Sequence, residues 1–185
     1  MTTLVFLNDG GRAAAGFKGS TGDCVTRAIA IATERPYLEV YEALNMLATS
    51  ERPRRGKKRS SARTGVFRKT YEKYLLSLGW KWVPTMKIGS GCTVHLKAEE
   101  LPKGRLIASV SRHLVAVIDG FIHDTDDPGR DGTRCVYGYY LPPFVPTPND
   151  CGSCRGYGHF TEDGEPTIDK RDRTCLDCGG AGEQT

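Results

Sequence analysis

Two residues carry the strongest chemical potential in this chain. Cys24 follows Gly22-Asp23 at the head of an apolar run, and His113 heads a second apolar run far along the sequence. A thiol in the first turn of a helix has its thiolate favoured by the helix dipole. An imidazole brought beside it by the fold completes a nucleophile–base pair, the chemistry of acyl transfer through a thioester. Amides at a helix start lack intrahelical partners, so the Cys24 N–H is placed to receive developing oxyanion charge. Asp119-Gly120 between apolar runs predicts a two-residue hairpin turn. With Ile118 opposite Phe121, Val115 faces Asp124 and His113 faces Asp126. Period-two alternation then puts His113, Asp124 and Asp126 on one sheet face. Either aspartate could orient the imidazole. Asp124 is preferred, because Asp126-Asp127-Pro128-Gly129 already reads as a turn. The competing reading is a small buried cysteine and an ordinary hydrogen-bonded sheet histidine.

The elements that must position these residues follow from periodicity. Thr3 to Leu7 reads as a strand, and the stretch from Asp9 to Gly22, with five glycines, as a mobile loop leading to Cys24. Asp23 is placed to cap the helix that follows, Val25 to Ala32, whose only polar interruptions are Thr26 and an Arg27 expected to be exposed. Pro36 opens a second helix with Leu38, Val40, Tyr41, Leu44 and Leu47 at helical spacing. A third amphipathic helix carries Val66, Phe67, Tyr71, Tyr74 and Leu75 on its apolar side. From Trp80 onward the period changes to alternation: Trp80–Val83, Leu106–Val110, Leu114–Ile118, Phe121–Thr125 and Val136–Tyr140 read as strands of a meander. Helices first and strands afterwards predict an α+β fold, with N-terminal helices packed on an antiparallel sheet. Four prolines between 142 and 148 predict a stiff linker. The domain boundaries expected are 1–145 and 146–185.

Apolar residues make up 38% and charged residues 26% of 185, which fits a globular chain. No run approaches a membrane span and the start lacks signal-peptide character, so a cytoplasmic location without membrane contact is expected. Of seven cysteines, Cys151, Cys154, Cys175 and Cys178 form two C-x-x-C pairs, which read as metal ligands in a reducing compartment. Cys24, Cys92 and Cys135 remain over. Ten basic residues against two acidic ones lie between Glu51 and Lys73. Arg54, Arg55, Lys57, Lys58 and Arg59 are the candidates there for contact with nucleic acid; a solvated face is the plainer reading.

Gly22-Asp23-Cys24 at a helix start, Ser111 to Val117 in a strand, and Asp119 to Thr125 after it resemble the papain-like cysteine peptidase superfamily in their order. Proteins with a Gly-Asp-Cys-x-x-Arg-Ala start and a similar histidine hairpin include bacteriophage and bacterial ones, which for a viral protein implies the host cytoplasm. The resemblance covers roughly Asp9 to Tyr140. It implies a papain-like fold and a cysteine hydrolase or acyltransferase acting on a peptide, isopeptide or related amide bond. Cys24 would be nucleophile, His113 general base and Asp124 orienting residue. Papain-type enzymes place a glutamine a few residues before the cysteine to complete the oxyanion hole, and no glutamine precedes Cys24 here. Ser20, Thr21 or Asp23 would substitute, or activity is weak or lost. A non-catalytic binding protein, holding a host protein or nucleic acid, is the alternative expectation.

Cys151 to Gly158 and Cys175 to Gly182 both read C-x-x-C-x-G-x-G. Four thiolates in two such knuckles match one tetrahedral structural zinc ion. The pattern resembles the cysteine-rich domain of DnaJ-type chaperones, with two repeats here in place of four.

Overall fold

The computed structural model describes residues 4–52, 58–87, 89–143, 159–160, 166–167 and 173–175. The chain divides into two compact units, Met1–Pro143 and Phe144–Thr185. The first is α+β. Its helices are α1 (Cys24–Thr33), α2 (Tyr37–Thr49) and α3 (Arg68–Ser77), and its strands β1 (Val5–Leu7), β2 (Lys81–Pro84), β3 (Arg105–Val110), β4 (His113–Ile118), β5 (Phe121–Asp124) and β6 (Val136–Leu141).

The six strands form one sheet in the order β1-β5-β4-β3-β6-β2. It is mixed, not purely antiparallel as expected, because β1 runs parallel to β5. Nor is it a meander throughout. The chain leaves β5, crosses over and pairs β6 with β3, and β2 closes the far edge against β6. Local turn chemistry explains only the β3–β4–β5 core. Asp119 and Gly120 take positive φ of 51° and 85°, the primed turn that their residue types favour. That turn fixes Ile118 against Phe121 and Val117 against Ile122.

Apolar residues of α1 (Val25, Ala28, Ile29, Ala32) pack with Val40 and Leu44 of α2, Tyr71 and Leu75 of α3, and Ile107, Leu114, Ala116 and Tyr140 of the sheet. The alternate sheet residues, Leu106, Val115 and Val117, are fully buried as well, so the sheet is covered on both faces. Phe67, expected on the buried side of the third helix, instead precedes α3 and is 40% exposed. Arg105 anchors the end of α1 by donating to the Ile31 carbonyl at 3.3 Å and pairing with Glu34 at 2.5 Å.

Cys92 and Cys135, expected to stand unpaired, form a disulfide with Cα atoms 5.8 Å apart. It ties the segment between β2 and β3 to the start of β6, where His95 also bridges to Cys135. The second unit contains a small antiparallel sheet of β7 (His159–Phe160), β8 (Pro166–Thr167) and β9 (Arg173–Thr174) in the order β8-β7-β9. Among the described residues, no helix is long and apolar enough to cross a membrane.

The β2–β6 pairing depends on one close approach. A Cβ at Gly138 would fall on the Trp82 ring and within 2.6 Å of the Val83 carbonyl oxygen. Gly138→Ala is expected to lower stability by about 1–3 kcal/mol through overpacking, read as a lower urea midpoint at an unchanged m-value.

Candidate active site

Helix α1 begins at Cys24 with Asp23 in the capping position, but the Asp23 side chain makes no cap hydrogen bond. Its carboxylate is buried and committed elsewhere. It accepts the Tyr37 hydroxyl at 2.6 Å, lies 2.9 Å from Arg12 Nε and pairs with Arg27 one helical turn on. The other end of the Arg27 guanidinium donates to Asp124 Oδ1 at 3.0 Å. Arg27 is thus buried, contrary to expectation, because two carboxylates compensate its desolvation. It joins the residue before the cysteine to the last residue of β5.

Asp124 in turn holds the histidine. His113 opens β4 opposite Val110, and its Nε2 lies 2.5 Å from Asp124 Oδ2. That contact leaves Nδ1 free, and His113 and Cys24 line the same cleft near enough for each to shift the other's titration. The Leu114 amide, next to His113 in β4, also acts to lower the Cys24 pKa. Asp126, the other candidate for orienting His113, is exposed and, among the described residues, accepts only from the Thr125 hydroxyl, at 3.2 Å.

The electrostatics favour an ion pair. Burial pushes the Cys24 thiol up, but the His113 hydrogen bond and charge, the Leu114 amide and Arg27 outweigh it, and its pKa lies below the ordinary 9.0. For His113, burial acts downward and is outweighed by Asp124 and Cys24, which raise it to about 9. Burial of Asp124 is likewise outweighed, by His113, the Thr125 amide and Arg27, which hold its carboxyl below the usual range. Each member favours the charged state of the next, the arrangement that activates a thiol at neutral pH.

Cys24 and His113 line an open cleft of about 950 Å³. Ser20 stands exposed at its wall. Thr21 also lines it, but its hydroxyl donates to the Arg63 carbonyl at 2.5 Å. Asp23 is a correction: a buried carboxylate that accepts from Tyr37 and Arg27 and pairs with Arg12 supplies no hydrogen bond to an oxyanion. Two hydroxyl-bearing residues unforeseen in the sequence line the cleft. Tyr71 on α3, 7% exposed, and Ser109 on β3 both line the cleft with Cys24. The signal for Arg27 was legible as an i,i+4 partner of Asp23. Tyr71 was hidden inside a helical apolar stripe, where a tyrosine reads as core.

Of the four predicted zinc ligands, Cys151, Cys154 and Cys178 lie outside the described residues, and Cys175 is buried directly after β9. Within the basic segment, Arg54, Arg55 and Lys57 lie outside the described residues, while Lys58 and Arg59 are exposed. No protein-family model, curated protein or solved structure matches this chain.

Two outcomes follow from the geometry. Arg27→Met strands Asp23 and Asp124 as buried, less compensated anions, and is expected to cost about 3–5 kcal/mol in urea unfolding. The second concerns the thiol. Its alkylation by iodoacetamide is expected to show a pH–rate midpoint below 9.0, moving up towards that value in His113→Ala.

Proposed function

We propose that this chain is a cysteine-nucleophile hydrolase or acyltransferase acting on a peptide, isopeptide or related amide bond. The observation that carries the reading is the Cys24–His113–Asp124 relay at the wall of an open cleft. The order of helix cysteine, strand histidine and following carboxylate supports kinship with the papain-like superfamily.

In this mechanism the Cys24 thiolate attacks the substrate carbonyl carbon, forming a C–S bond while the carbonyl π electrons move to oxygen. The Cys24 backbone N–H and the Tyr71 hydroxyl stabilise the oxyanion, taking the place of the glutamine that papain-type enzymes use. The intermediate collapses with cleavage of the C–N bond, and the His113 imidazolium gives its Nδ1 proton to the leaving amine. Water or a second amine then loses a proton to His113 and attacks the thioester. The C–S bond breaks, and the thiolate–imidazolium pair is restored. Asp124 holds the ring through Nε2 and stabilises its positive charge, as the carboxylate of a triad does. Arg27 holds Asp124 in turn.

The C-terminal unit fits a zinc-stapled module on the repeated cysteine spacing and the burial of Cys175. Four thiolates would fill the coordination shell, so the ion would supply folding energy to a small unit and take no part in the reaction. Such a module suits docking of a partner or substrate protein.

An acyl donor tests the catalytic reading. With p-nitrophenyl acetate, intact mass and peptide mapping are expected to find an acetyl group on Cys24, followed by its loss on standing. Cys24→Ala should remove the adduct and His113→Ala should slow both formation and loss. Acetylation spread evenly over lysines with Cys24 unmodified would overturn the proposal.

A further inference from the structure

The charges along the cleft are unevenly satisfied. Four arginines line it: Arg12, Arg27, Arg68 and Arg112. Arg12 is held at 2.9 Å by Asp23, and Arg27 by Asp23 and Asp124. Arg68 lies 3.7 Å from Glu72 and over the Trp82 ring at 4.4 Å. Arg112 is exposed and, among the described residues, has no hydrogen-bond or ion-pair partner. The acids of the cleft are fewer. Asp9 accepts the amides of Gly11 and Ala13 at 2.9 and 2.8 Å, and Asp126 accepts the Thr125 hydroxyl.

Arg112 is also held where an arginine is disfavoured. It sits in the turn between β3 and β4 with φ of 57°, a left-handed conformation that glycine adopts without strain. The turn thus carries a long cation at a backbone position that penalises it. His113, the group that meets the leaving amine, is the next residue, and Arg112 and His113 both line the cleft with Cys24.

We infer that Arg112 selects substrates bearing a carboxylate or similar anion next to the scissile amide, on the His113 side of the cleft. The inference rests on Cys24 being the nucleophile. An unpaired guanidinium offers such an anion a bidentate contact that a lysine would make only as a point charge.

Two alkylating reagents of nearly equal size test this without a known substrate. Iodoacetate carries a carboxylate and iodoacetamide does not, so the ratio of their second-order rate constants at Cys24 reads the field at the sulfur. At low salt the ratio is expected to fall roughly three- to tenfold in Arg112→Gln and Arg112→Gly, to persist in Arg112→Lys, and to shrink with added salt in the unaltered protein. The glycine variant fits the left-handed turn, which separates loss of charge from damage to the hairpin. A ratio unchanged in both neutral variants would overturn the role of Arg112 while leaving Cys24 as nucleophile. If both reagents modify Cys24 no faster than they modify the unfolded chain, the nucleophile reading falls and takes this one with it.

Discussion

A single buried cation organises the site. Arg27 lies between Asp23, which immediately precedes the cysteine, and Asp124, which orients the histidine. Burying a guanidinium is costly, and the cost is met only when both carboxylates are in place with good geometry. The requirement therefore fixes three things together: where α1 begins, how β5 ends, and how far apart the sulfur and the imidazole stand. Tyr37 extends the same network to the start of α2 through Asp23. Because β1 pairs with β5, the N-terminal strand is coupled to it as well, with Leu7 beside Asp124.

The charges of the relay have opposing consequences for stability. His113 is raised to about 9 from 6.5, so its contribution is complete below 6.5 and fades as pH climbs towards 9. Cys24 is lowered from 9.0, so its contribution grows as pH rises through its folded value and is complete above 9.0. Where the two ranges overlap, one slope offsets the other. The thiolate–imidazolium pair holds the same number of protons as a neutral thiol and imidazole, so creating it draws little on the overall proton balance. Asp124 adds a third contribution, present above the ordinary carboxylate range and lost as acid protonates it.

The parts legible in the sequence are those governed by short-range rules. The Asp119-Gly120 turn set the β4–β5 register, helical spacing placed α1 and α2, and Gly22-Asp23-Cys24 marked a helix start. What escaped depends on partners distant in sequence. The parallel β1–β5 pairing and the return of β6 to β3 leave no local signature, since any apolar strand reads alike in either direction. Arg27 was read as solvent-exposed because a lone charge in an apolar helix usually is; Asp23 four residues before it was a local hint, but the second carboxylate its burial needs, Asp124, lies on a distant strand. Cys92 and Cys135 had nothing near them to mark a pairing across 43 positions. Tyr71 shows the limit of periodicity: the same stripe that packs α3 also lines the cleft.

The separation of 97 positions between Arg27 and Asp124 has a consequence for biosynthesis. Contacts so far apart in the chain carry a larger loop-closure cost than those within a helix or a hairpin. During synthesis Cys24 emerges before His113 and Asp124, the residues that complete its surroundings. The surroundings that lower the Cys24 pKa therefore exist only once the tertiary structure has formed.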